Sequence, residues 1–177
     1  MGPDQFLTRR LSVFHWRDEL RDPLLRESLE DELITILTPN VLRSLPPSMQ
    51  VQDRGISHWI NDRCAESDVL VVRQRHDRHL IGLMILALDS AHKSVQTVHL
   101  GYLISETAWG KGYASELLDG FVAACTSGPA VRLVAGVGRD NPASARVLQK
   151  SGFTPYRDDS TVETEIYVRE IGAPMVP

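Results

Sequence analysis

The clearest periodic signal in the chain lies between residues 114 and 125. Ala114, Leu117, Leu118, Phe121, Val122 and Cys125 fall at i, i+3, i+4, i+7, i+8 and i+11, the stripe of a helix with one buried face. Ser127, Gly128 and Pro129 end it. Leu25, Leu29, Leu33, Ile36 and Leu37 repeat the helical spacing over Pro23–Leu37. Ile56, Trp59, Ile60 and Cys64 predict another helix over Gly55–Cys64, and Pro39, Pro46 and Pro47 predict a loop between the two. Strand formers concentrate in Arg10–Trp16, Val69–Arg73, Leu80–Leu88 and Val95–Ile104. The last three are joined by short links, near Asp77 and near Ser90–Lys93, which predicts an antiparallel meander. Val131–Val137 is a further strand. Asn141 as N-cap and Pro142 at the first helical position open a last helix, and Gly152 follows its end. Phe153–Arg157 and Val162–Arg169 predict a closing hairpin, with Pro174 and Pro177 in a loose tail.

The order is therefore β-α-α-β-β-β-α-β-α-β-β, an α+β or mixed α/β plan around one sheet. The strand-helix-strand unit from Val95 to Val137 is expected to be parallel, with a right-handed crossover. No repeat or linker divides the 177 residues, a length that suits one domain spanning 1–177.

Composition narrows the function. Hydrophobic residues make up 42% and charged residues 24%, as in a soluble globular fold. The net charge of -4 argues against a nucleic-acid binder held mainly by phosphate contacts. Cys64 and Cys125 are far apart, outside any Cys-x-x-Cys pair, so a zinc ribbon or redox dithiol is not expected. Both read as reduced thiols near the core. No apolar run reaches the roughly 20 residues of a membrane helix. The start, MGPDQFLTRR, lacks the apolar core of a signal peptide. A cytoplasmic protein is expected.

Candidate chemistry begins at Trp109–Ala114 (WGKGYA), between a strand end and a helix start. Glycines let the backbone approach a ligand, and the helix start offers free N–H groups at a positive dipole end. This is a phosphate or pyrophosphate seat, or else only a tight turn. Lys111 adds charge to the seat or points to solvent. A P-loop would need Ser or Thr after the lysine, and Gly112 stands there. A dinucleotide fingerprint would need glycine where Ser115 stands, and further β-α units.

The stretch from Gly101 to Glu116 (GYLISETAWGKGYASE) resembles the acetyl-CoA motif of GNAT N-acetyltransferases. Asn141 to Phe153 (NPASARVLQKSGF) resembles the next block of that family. The opening from Leu7 to Val13 (LTRRLSV) is similar to the start of its RimJ/RimL-type branch, which acetylates protein N-termini. The resemblance implies a GNAT fold: a mostly antiparallel sheet with one parallel, splayed strand pair, flanked by about four helices. It implies acetyl-CoA as cosubstrate, with the pyrophosphate on the backbone of Trp109, Gly110, Lys111, Gly112, Tyr113 and Ala114. The pantetheine arm would lie along Tyr102, Leu103 and Ile104, with the Tyr102 N–H donating to the thioester oxygen. Asn141 and Ser144 match family residues that contact CoA. Trp109 stands where the family often has Gln or Arg, though Trp is common there in the RimJ/RimL-type branch.

Acetyl transfer to an amine requires deprotonation of the ammonium and a preplaced donor for the oxyanion. It requires no metal and no covalent enzyme intermediate. His99, two residues before Gly101 and where relatives often carry Glu, is the first candidate base; it also reads as a packed strand residue. Glu163 and Glu165 are weaker candidates. Many GNAT enzymes protonate the thiolate with a Tyr that is Leu148 here. Ser144 matches the serine serving that role in the RimJ/RimL-type branch, or else it caps its helix. The run Glu27–Glu32 reads as a solvated helix face or as an attractor of cationic amines. Trp59 reads as core, and the Tyr102 side chain as either core or site.

These observations predict a GNAT acyltransferase acting on a primary amine by direct attack in a ternary complex. The acceptor is a protein N-terminus or a small-molecule amine. No nucleic acid or membrane partner is expected, and the chain is a monomer or homodimer. The rival reading is a non-catalytic acyl-CoA-binding module on the same fold.

Overall fold

The computed structural model describes residues 3–89 and 95–172. In chain order the elements are β1 (Gln5–Leu7), β2 (Leu11–His15), α1 (Arg17–Arg21), α2 (Pro23–Ile36), α3 (Pro39–Arg43), α4 (Ile56–Glu66), β3 (Asp68–Gln74), β4 (Leu80–Leu88), β5 (Gln96–Ile104), α5 (Tyr113–Cys125), β6 (Val131–Gly138), α6 (Pro142–Lys150), β7 (Thr154–Tyr156) and β8 (Thr164–Ile171). The strands form one sheet in the order β1-β2-β3-β4-β5-β6-β8-β7. Every pairing is antiparallel except β5 with β6. This is the mixed α/β plan read from the sequence, with the parallel pair where it was expected.

The differences have physical causes. Six helices stand among the described residues, where about four were expected. α3 lies inside the proline-rich segment predicted as loop. Thr38 caps it by accepting from the Val41 N–H, and Pro39 occupies its first turn, where a missing N–H costs nothing. β1 is three residues long, too short to show a period. The final strand starts at Thr164, because Thr161 turns the chain by accepting from the N–H groups of Glu163 and Thr164; Val162 is left 92% exposed. The link near Ser90–Lys93 and the tail with Pro174 and Pro177 lie outside the described residues.

Each sheet face carries its own core. α5 and α6 cover one face, where Leu117, Leu118, Phe121 and Leu148 pack on Val98, Leu100, Leu133 and Tyr167. α2 and α4 cover the other, where Leu29, Leu33, Trp59 and Ile60 pack on Val69, Val71, Leu83 and Leu103. Trp59 is core, as expected: it meets Trp16 edge-on, and its indole N–H donates to the Met49 carbonyl. Two predicted core positions are instead exposed, Leu25 and Cys64. On α4 the buried stripe passes through Arg63, whose guanidinium is matched by the Glu66 carboxylate and the Ser48 carbonyl. Cys125 is buried, and that burial pushes its thiol up to about 11. No helix among the described residues is long and apolar enough to cross a membrane.

Candidate active site

The sheet opens where β5 and β6 part. Their register runs from Gln96 with Val131 to His99 with Val134 and stops there. Beyond it β5 stays paired only with β4, through Ile104, and β6 only with β8, through Gly138. The Ser105 N–H donates to the Ile81 carbonyl at 2.8 Å, and the Thr97 carbonyl accepts from the Asp89 N–H at 3.0 Å. Odd-numbered residues of β5 therefore aim their main-chain groups at β4, and even-numbered residues aim theirs at the gap. The Tyr102 N–H faces the gap, as the splayed-pair reading requires. The Ile104 carbonyl faces it too and accepts from the Trp109 indole N–H at 2.7 Å.

A glycine turn closes the open end of this gap. Gly110 and Gly112 hold φ of 72° and 78°, the left-handed region that side chains with a Cβ avoid. Gly112 is the N-cap of α5, and no side chain among the described residues caps that helix, so the first-turn N–H groups remain available to an anion. The Lys111 ammonium does not project into this seat. It folds back to donate to the Thr107 carbonyl at 2.7 Å.

A cation arrives from the far edge of the sheet instead. Arg10 donates to the Lys111 carbonyl at 3.0 Å and lies over the Tyr113 ring at 4.2 Å. Glu116, on the first turn of α5, accepts from Thr8 Oγ1 at 2.6 Å, from the Arg10 N–H at 2.7 Å and from Arg10 Nε at 2.6 Å. Burial acts to raise the Glu116 carboxyl, but these donors and the Arg10 charge outweigh it and hold the group below the usual carboxylate range. Thr8, Arg10 and Glu116 were not singled out from the sequence. All three lie in the stretches that carried the family resemblance, but nothing in one dimension joins residues 106 positions apart.

The gap is part of one cleft of about 1530 Å³ that reaches both faces of the sheet. On the α5/α6 side it is lined by Trp109, Gly110, Gly112, Tyr113, Asn141 and Ser144. On the α2/α4 side it is lined by His99, Gly101, Met49, Ser48, Arg63 and Ile85. The cleft thus gathers His99, Tyr102, the glycine turn and the start of α6, which the sequence scatters over some 45 positions.

The chemical candidates sort by face. His99 shares its face with Leu103, is exposed, and stands at the apex where the strand pair parts. Glu163 lines the same cleft from the turn before β8. Glu165 faces the other way: it pairs in register with Val137, accepts from the Tyr167 hydroxyl at 2.6 Å and lies 3.8 Å from Arg139. It does not line the cleft. The acidic run on α2 does not line it either; Glu30 is held by Arg26 and Ser57, and Glu32 by Arg73.

Tyr102 packs on the core and also lines the cleft. Its ring packs on the α5/α6 core, and its hydroxyl is buried without a hydrogen bond among the described residues. Burial pushes this phenol up, and the nearby Ser144 hydroxyl acts in the opposite direction. Capping of α6 falls to Asn141, whose side chain accepts from the Ser144 N–H at 3.1 Å. The Ser144 hydroxyl is thereby spared from capping, and Leu148 fills the core fully buried.

An open strand edge beside an uncapped, glycine-turned helix start fits an extended thioester cosubstrate with an anionic end. A cleft that passes through the sheet lets an acceptor reach that thioester from the other face. Fold and site together define an acyltransferase that uses a CoA-based cosubstrate. The chain belongs to the GNAT family, whose acetyltransferase domain matches residues 10–154. Among solved structures it is similar to a RimL ribosomal L7/L12 alpha-N-protein acetyltransferase in complex with coenzyme A, at 16% identity and TM-score 0.68, covering 96% of this chain and 99% of that one. It is similar to a GNAT-family acetyltransferase from Bacillus anthracis, at 15% identity and TM-score 0.66, covering 94% and 97%. It is also similar to an acetyltransferase from Salmonella typhimurium that modifies the N-terminal serine of ribosomal protein L7/L12, at 15% identity and TM-score 0.65, covering 93% and 96%. No protein of curated function matches the sequence significantly.

Proposed function

We propose that the protein, as a single domain, is an acetyl-CoA-dependent N-acetyltransferase of the RimJ/RimL type. Its acceptor is the α-amine of a peptide or protein N-terminus. The observation that carries this reading is the passage through the sheet at the β5–β6 splay, with the Tyr102 N–H in the gap and His99 at its apex. The ribosomal-protein acetyltransferases among its structural neighbours support the acceptor class.

The pyrophosphate rests on the N–H groups at the start of α5, over the turn from Trp109 to Ala114, and the pantetheine arm extends the sheet along Tyr102, Leu103 and Ile104. Asn141 and Ser144 border the arm from α6. The amine enters from the α2/α4 side and loses a proton to His99, directly or through one water. It attacks the carbonyl carbon, and the Tyr102 N–H steadies the oxyanion. Collapse breaks the C–S bond; the nitrogen gives up its second proton, which passes through the Ser144 hydroxyl to the leaving thiolate, so that an amide and the free CoA thiol result. No enzyme-bound acyl group is needed.

The test is thiol release from acetyl-CoA with a panel of amines, alongside calorimetry of acetyl-CoA binding. Turnover with peptides bearing a free α-amine is the expected result. Binding without turnover on any amine would instead favour the acyl-CoA-binding module, and turnover confined to polyamines or antibiotics would replace the acceptor class.

A further inference from the structure

Gly101 has no structural reason to be glycine. It lies in the interior of β5, where glycine weakens a strand unless something requires it. Three requirements are usual, and each is absent. Its φ is not in the left-handed region. The β4–β5 register runs unbroken from Gly82 with Ile104 to Leu88 with Val98, so there is no bulge at Gly101. Among the described residues no close neighbour excludes a side chain, since a Cβ built there meets nothing within 4 Å. Gly120 shows the contrast: a Cβ at that position would stand 2.5 Å from Thr8 Cγ2 and 3.0 Å from the Phe6 ring.

The space over Gly101 belongs to the cleft. Gly101 shares a sheet face with His99 and Leu103, lies opposite Ile85 on β4, and directly precedes the Tyr102 N–H that faces the gap. A nucleophile deprotonated at His99 and aimed at a carbonyl held by the Tyr102 N–H has to cross this bare stretch of backbone.

We infer that Gly101 is a specificity-determining residue: its missing side chain makes room for the carbon that bears the acceptor's amine, so that acceptors branched at that carbon are admitted. This rests on the proposed function and deepens it. The substrate class is an α-amine whose α-carbon carries a side chain, as at a peptide N-terminus beginning with a residue other than glycine.

The test uses two peptides that differ only in their first residue, glycine or alanine, with the full chain and its Gly101→Ala and Gly101→Val variants. The wild type is expected to acetylate both. In Gly101→Ala, kcat/KM for the alanine peptide should fall about tenfold, the scale of one misplaced methyl in a binding pocket, with the glycine peptide changing far less. Gly101→Val should enlarge the gap. Acetyl-CoA affinity by calorimetry should stay unchanged in both variants, which also shows that they fold. Equal losses on the two peptides, no loss on either, or a loss of acetyl-CoA affinity would overturn the inference while leaving the acetyltransferase standing. A wild type that acetylates neither peptide would overturn the acceptor class, and this inference with it.

Discussion

The two sides of the cleft are made of different material. On the α5/α6 side most of the available polar groups are main-chain, the β5 edge facing the gap and the helix start behind Gly112, with the Asn141 and Ser144 side chains beside them. On the α2/α4 side they are side chains from separate elements: His99 on β5, Arg63 on α4, and Ser48 and Met49 in the turn between α3 and α4. Backbone sites need particular conformations, and few residue types supply them. Side-chain sites need only proximity, which many sequences can supply. On the proposed function, one side recognises a chemical group common to a whole family, while the other is free to define an acceptor.

Gly112→Glu puts this contrast to the hardest test. It places a side chain at a φ of 78° and a like charge beside a bound anion. Acetyl-CoA affinity should fall about 100-fold or more, since such juxtapositions cost several kcal/mol and each 1.4 kcal/mol is tenfold. Unchanged affinity by calorimetry in a folded variant would remove the glycine turn as the pyrophosphate seat. His99→Ala is the matching change on the acceptor side. It should lower kcat/KM about 100-fold, with acetyl-CoA binding intact. A variant with the wild-type rate would exclude His99 as base.

A smaller effect sharpens the boundary between the sides. Arg10→Ala and Glu116→Gln should each weaken acetyl-CoA binding about tenfold, the scale of a charge-assisted hydrogen bond, and leave the amine KM alone. The double variant should lose little more than either single one, because the two residues act as one unit. The sign of the pH dependence follows from the depressed Glu116 carboxyl. The stabilisation is present above the ordinary glutamate pKa of about 4.3 and is lost as pH falls through the lower folded value. A clamp that strengthened on acidification would contradict this.

The same contrast explains what could be read from one dimension. The stripe from Ala114 to Cys125, the Asn141–Pro142 helix start and the paired glycines are local requirements, and each stands where it was expected. The parallel β5–β6 pair followed from the strand-helix-strand order between Val95 and Val137. α3 escaped notice because proline marks both loops and first turns, and β1 because three residues carry no period. Arg63 hid among polar residues, since burial of a guanidinium depends on partners such as Glu66 and the Ser48 carbonyl that have to be seen in space. The link from Arg10 to Glu116 was invisible for the same reason. His99 and Ser144 were legible only through family resemblance. The structure places both in the cleft and frees Ser144 from capping, which Asn141 performs.

The clamp also bears on the order in which the molecule assembles. Its contacts join residues 106 to 108 positions apart, whereas the Trp59–Met49 and Arg63–Ser48 bonds on the α2/α4 side close segments of 10 and 15. Closing a long loop costs more entropy than closing a short one, and the cost precedes the reward. The α2/α4 wall of the cleft can therefore form early from neighbouring segments, while the glycine turn acquires its anchors only when the β1–β2 edge docks against α5. On the proposed function, a cosubstrate held at the finished turn would favour the fully docked chain by mass action.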